Sequence, residues 1–233
     1  MNVGWTLIHD DKFSYEKPIS LRTFTNKKYK NSTELQCMGI TDLSDRIFVI
    51  ESPWDIRLKY ENKKITLIKE KSSISQEYFM DIIGHRYEEY TEHPVIQLGT
   101  SYVFMTDKPC TITALPPFYH MNNTFRLISG QWNIFDWQRP LGCAYEWLDT
   151  TKDFIIKKGD PLQYIMFNSE NMDEKYTLKY METEDMKQQI KYCTKSRYTM
   201  VKGLRHLILK SRHERKKNIV GESKCPFHKV KFW

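Results

Sequence analysis

The chain has 233 residues, a formal net charge of +7 and 40% hydrophobic residues. That length allows one large domain, or one domain with an appendage, and a core that needs no disulfide staples. An aromatic content of 14% excludes a disordered chain, and no stretch approaches the ~18 consecutive apolar residues of a membrane span.

Alanine occurs only at Ala114 and Ala144. A chain short of the best helix former and rich in Tyr, Phe, Ile and Thr leans towards strands. The 26 Lys against 10 Arg also match an A/T-rich coding bias, so part of the lysine excess carries no functional message. Met1-Asn2-Val3-Gly4-Trp5 has no basic region followed by an apolar run, so no secretory signal is expected. The five cysteines, Cys37, Cys110, Cys143, Cys193 and Cys225, are odd in number and widely spaced. They read as reduced thiols in a cytoplasmic protein, or in the host cytoplasm if the source is viral.

Residues 1–45 are polar, with strand-like pieces at Trp5–Ile8 and Ser20–Phe24 and a lysine-rich loop at Asn26–Asn31. Residues 46–182 read as β. Arg46–Ile50 is a short apolar run, and Trp54–Tyr60 alternates with period 2 before a hairpin turn at Glu61-Asn62 and a strand at Lys64–Ile68. Such alternation marks a sheet with one wet face. Residues 69–92 hold room for a short helix. Further strands are predicted at Val95–Leu98, Tyr102–Met105, Cys110–Leu115, Phe125–Ile128, Trp132–Phe135, Ala144–Leu148, Phe154–Ile156, Leu162–Phe167 and Tyr176–Met181. Many short strands punctuated by Gly and Pro predict a β-sandwich, jelly roll or barrel. From Thr183, a capping residue followed by acids, apolar residues recur near helical spacing at Ile190, Val201, Leu204, Leu207 and Ile208. The expected organisation is a β-sandwich domain over residues 1–182 and a basic helical tail over residues 183–233.

Charge divides the same way. Lys187–Trp233 carries 14 basic and 2 acidic residues, leaving 22 basic and 27 acidic for the rest. A faintly acidic body with a strongly basic tail points to nucleic acid, to an acidic protein surface or to docking on the acidic body itself, through Arg205, Lys210, Arg212, Arg215, Lys216 and Lys217. No membrane partner is expected.

Motifs for chemistry are sparse. Cys193, His213, Cys225 and His228 form a formal zinc set without compact spacing. The one His-x-Asp, His9-Asp10-Asp11, precedes most strands, and His85 or His93 would have to complete an Fe(II) site of the oxygenase kind. His120 lies in the turn Leu115–Asn123, and Asp136 with Arg139 lies in an aromatic-rich stretch, which makes these three the catalytic candidates. The chain lacks a nucleophile elbow, a P-loop and a dinucleotide fingerprint. No cofactor is identified, and whether the chain is an enzyme stays open.

The order Thr106-Asp107-Lys108-Pro109, Pro116-Pro117-Phe118-Tyr119-His120, Gly130–Trp137 and Ile156–Tyr164, preceded by Ser52-Pro53-Trp54-Asp55-Ile56, resembles a group of cupin-like β-sandwich proteins. They are common among bacteriophage and bacterial hypothetical proteins. The resemblance covers about residues 46–180. It implies a jelly-roll-like antiparallel fold and often a phage source, and it supplies no activity or site residues. The expected function is a non-enzymatic viral accessory or binding protein whose basic tail contacts an acidic partner. The alternatives are a cupin-like metal-dependent enzyme and a nucleic-acid-associated protein acting through the tail.

Overall fold

The computed structural model describes residues 1–8, 13–28, 37–86, 93–135, 137–171 and 173–181. In chain order the first strands are β1 (Asn2–Leu7), β2 (Ile19–Ser20), β3 (Ile47–Glu51), β4 (Ile56–Glu61), β5 (Lys64–Leu67), β6 (Ile83–Arg86) and β7 (Val95–Thr106). They are followed by β8 (Thr111–Leu115), β9 (Phe125–Leu127), β10 (Gly130–Asn133), β11 (Pro140–Trp147), β12 (Phe154–Ile156), β13 (Pro161–Asn168) and β14 (Thr177–Tyr180). Among the described residues three short α-helices intervene, α1 (Leu21–Lys28), α2 (Met38–Arg46) and α3 (Gln76–Ile82), with a 3-10 turn at Lys69–Lys71. The protein is mainly β, and among the described residues no helix is long and apolar enough to cross a membrane.

The strands form three sheets. One has the order β14-β1-β7-β11-β9, with β6 also on β7; the second runs β10-β8-β13-β3-β2; the third is β12-β4-β5. The first two face each other across one core, as in a β-sandwich. Val3, Trp5, Tyr102 and Phe104 from the first sheet and Phe48, Ile112, Ile165 and Phe167 from the second lie in the same buried cluster. Phe104 meets Phe167 edge-on at 5.8 Å, a favoured aromatic geometry. The third sheet closes one end through Ile56, Leu58 and Phe154.

Several local features differ from the sequence reading. The Ser20–Phe24 piece is a strand only to Ser20, where α1 begins. The Ser20 hydroxyl accepts the Thr23 backbone N–H at 3.2 Å, a helix cap, and Leu21 and Phe24 then point one way onto Ile47, Val49 and Tyr164. Gly99 does not separate two strands, because β7 runs through it. A Cβ there would stand 3.4 Å from the Ile82 carbonyl, an ordinary van der Waals distance. The β4–β5 turn is centred one residue later than expected, on Asn62 and Lys63 with φ 51 and 60, the left-handed pair of a tight hairpin. The sandwich is not purely antiparallel, since β1 and β14 pair in parallel. The short helix expected within residues 69–92 is α3, capped by the Ser75 hydroxyl accepting from Tyr78 N–H at 3.1 Å.

Candidate functional site

Two turns that are remote in sequence lock together beside a surface cleft. The Ser52–Asp55 turn is held by the Ser52 hydroxyl donating to the Trp54 carbonyl at 2.7 Å. The Lys157–Asp160 turn folds back so that Asp160 Oδ2 accepts the Lys157 N–H at 3.0 Å, with Gly159 at φ 80. The two lock together: Ser52 N–H donates to the Asp160 carbonyl, Gly159 N–H donates to the Ser52 carbonyl, and Lys158 N–H donates to Asp55 Oδ1. These contacts explain why Ser52-Pro53-Trp54-Asp55 and Lys158-Gly159-Asp160-Pro161 stand out together in the sequence.

The second turn forms one wall of a cleft of about 180 Å³. The opposite wall is the β8–β9 connection, with Pro116, Pro117, Phe118, His120 and Met121; the floor is Phe125, Leu127, Tyr145 and Ile156. Phe118 is seated edge-on against Tyr164 at 4.9 Å. Asn122 Oδ1 accepts the Thr124 N–H at 2.7 Å, an Asx turn that leads the chain into β9. Phe118 (41% exposed), Met121 (85%) and Ile155 (37%) remain open to solvent while lining this single cleft. Exposed apolar side chains gathered at one concavity mark a binding surface more often than scattered ones do. Pockets for drug-sized ligands run about 300–1,000 Å³. This smaller cleft suits one bulky side chain or a fragment.

Polar groups sit at the rim. His120 Nε2 lies 3.8 Å from Asp160 Oδ1. Arg126 Nε is bonded to Glu146 Oε2 at 2.6 Å, and Lys28 Nζ donates to the Gly159 carbonyl at 3.2 Å. The Tyr145 hydroxyl, in the floor, donates to the Leu162 carbonyl at 2.7 Å, and burial holds its pKa well above the ordinary value. A wider, shallower groove lies on the other side of Ile155 and Ile156, lined by Asp55, Arg57, Glu70 and Ser72; Arg57 there is paired with Asp153 at 2.5 Å.

Neither buried cysteine supplies a nucleophile. Burial pushes the Cys143 thiol up to about 12 and the Cys110 thiol up to about 11, so both are protonated and inert near neutrality. Among the described residues no three His, Cys, Asp or Glu side chains gather closely enough to hold a metal ion. The space between the sheets is filled by Trp54, Tyr102, Phe104, Trp147, Phe154 and Phe167.

Of the catalytic candidates, His120 lines the cleft. Arg139 stands between two tryptophans instead, 4.7 Å from the Trp132 ring and 4.7 Å from the Trp137 ring. That cation–π sandwich gives a structural reason for the aromatic-rich stretch. Asp136 lies outside the described residues, as do His9, the formal zinc set Cys193, His213, Cys225 and His228, and the basic residues Arg205, Lys210, Arg212, Arg215, Lys216 and Lys217. The sequence reading missed Asp160, Phe118, Met121 and Ile155. For Phe118 and Met121 a signal was available, because large apolar side chains in a Pro-rich turn have no strand periodicity to account for them. No family model matches the chain, and no curated protein matches it either.

Proposed function

We propose that this chain is a non-enzymatic binding protein that takes a protruding apolar side chain of an acidic protein partner into the cleft beside His120. The observation that carries the reading is the convergence of exposed Phe118, Met121 and Ile155 on one concavity. Lys28, Lys157 and Lys158 are exposed around it and favour acidic residues flanking the anchor. Truncating such anchors costs most of the energy at protein interfaces, and the flanking charges set rate and orientation. The basic segment over residues 187–233 extends the same preference, so that one acidic partner meets both. Within the mainly β class, two sheets sharing one core support the jelly-roll, cupin-like description, and the parallel β1–β14 pair departs from it.

The test is a salt titration of binding to two polyanions, polyglutamate and duplex DNA. The full chain is compared with a variant carrying Arg212, Arg215, Lys216 and Lys217 all changed to Glu. The reading expects polyglutamate to bind at least as tightly as DNA, and the variant to lose most of that affinity. Preferential, strongly salt-dependent binding of DNA would favour the nucleic-acid alternative.

A further inference from the structure

The backbone of the strand along the cleft's rim has a fixed orientation. β12 pairs with β4 through Phe154 with Leu58, Ile155 with Arg57 and Ile156 with Ile56. In an antiparallel ladder, successive residues turn their N–H and C=O alternately towards the partner strand and away from it. Arg57 sets the phase. Its carbonyl accepts the Ile68 N–H at 2.8 Å, and its own N–H donates to the Ser72 hydroxyl at 3.0 Å. Its backbone groups therefore point to the β5 side of β4. Leu58 and Ile56 then face β12, where Phe154 and Ile156 answer them. Ile155 is left with its N–H and C=O directed off the edge of the sheet, away from β4.

That edge opens on the cleft. Ile155 and Ile156 line the cleft together with Phe125 and Leu127 of β9, whereas Ile56 and Arg57 of β4 line the groove on the opposite side. Ile155 is 37% exposed, and among the described residues no strand pairs with β12 on this side. An open strand edge is a template for another strand. Side-chain alternation fits the cleft to the same geometry. A strand laid on β12 puts the residue opposite Ile155 on the outer face. The neighbours of that residue turn inward with Phe154 and Ile156, towards the cleft floor, where Phe125 stacks on Phe154 at 4.0 Å. Lys157 and Lys158 are exposed directly after β12 and favour Asp or Glu in a segment that runs past them.

We propose that the acidic partner is bound as an extended segment that adds an antiparallel strand to β12. It exchanges both backbone hydrogen bonds with Ile155 while an adjacent apolar side chain enters the cleft. Antiparallel pairing continues the pattern of this sheet. The mode rests on the cleft taking an apolar anchor, as proposed above, and it selects the backbone shape of the partner. A helical segment with the same anchor does not serve, because its backbone groups are already bonded within the helix.

The test uses the acetylated, amidated peptide DETWTED and the same peptide N-methylated at both Thr. N-acetyl-tryptophan amide reports the anchor alone. Each is added to the isotope-labelled full chain, and NMR follows the methyls of Met121 and Leu127 and the hydrogen exchange of the Ile155 amide. The peptide should bind roughly tenfold more tightly than N-acetyl-tryptophan amide and slow Ile155 exchange by a similar factor. The methylated peptide should lose both gains. Equal affinity of the two peptides, with Ile155 exchange unchanged, would overturn the added strand and leave the anchor site standing. Methyl signals unmoved by all three probes would remove the anchor site itself, and the added strand with it.

Discussion

His120 Nε2 faces Asp160 Oδ1 across the mouth of the cleft at 3.8 Å, but the two residues are not equal partners. The other oxygen of Asp160 already closes its own turn on the Lys157 N–H. An exposed pair at this separation contributes little, whereas an acceptor that satisfies a backbone N–H contributes about 1 kcal/mol. Asp160→Ala should lower stability by about 1 kcal/mol in urea unfolding, and His120→Ala should leave it within about 0.5 kcal/mol. Equal losses for the two variants would mean that the pair, and not the turn, holds this wall.

Gly159 offers a separate test of the same turn. Its φ is +80, and a Cβ there would meet nothing within 4 Å. Gly159→Ala should therefore cost about 1 kcal/mol through backbone strain alone. Gly130, which also has open space around it but no positive φ, serves as the control. Gly130→Ala should be neutral or slightly stabilising in the same unfolding assay.

Gln163 sits opposite Ile50 on the core side of β13, next to the irregularity between Pro161 and Gln163. It is 0% exposed, and among the described residues neither its side-chain nitrogen nor its oxygen has a hydrogen-bond partner. A buried amide left unsatisfied costs about 1–3 kcal/mol. Gln163→Leu should accordingly raise the urea midpoint by the equivalent of about 1 kcal/mol. A fall of that size would show that the amide contributes stability where it stands.

Burial also dictates how stability responds to alkali. Cys143 and Cys110 are raised from 9.0 to about 12 and about 11, and Tyr102 and Tyr145 move upward for the same reason. The fold favours the neutral forms, so the unfolded chain releases these protons first. The stabilisation is complete below about pH 9 and is lost as the pH climbs towards the folded values. Urea midpoints should fall between pH 8 and pH 10.5, with a shallower fall in Cys143→Ala. A flat profile would contradict the burial of these groups.

Period-2 alternation located most strands because inward and outward positions differ in polarity along them, as in Ile56–Glu61 and Lys64–Leu67. It failed at Leu21-Arg22-Thr23-Phe24, where i, i+3 spacing and a serine cap make a helix of a segment whose composition reads as strand. It also failed at Gly99, which a single strand, β7, runs through without a break. The parallel pairing of β1 with β14 links the two ends of the described chain, and no local pattern carries that information. At the cleft, His120 was legible as a polar residue in a turn. The Asp160 facing it was not, because only the docking of two remote turns brings them together.

The central claim is that the cleft accepts an apolar anchor, and methyl NMR tests it most directly. Signals of Met121, Leu127, Ile155 and Ile156 would be followed while N-acetyl-tryptophan amide is added to the full chain. The account predicts saturable shifts confined to these methyls and the His120 ring, with affinity weakened about tenfold, or about 1.4 kcal/mol, in Met121→Asp. Shifts spread evenly over the surface, or none at all, would contradict it.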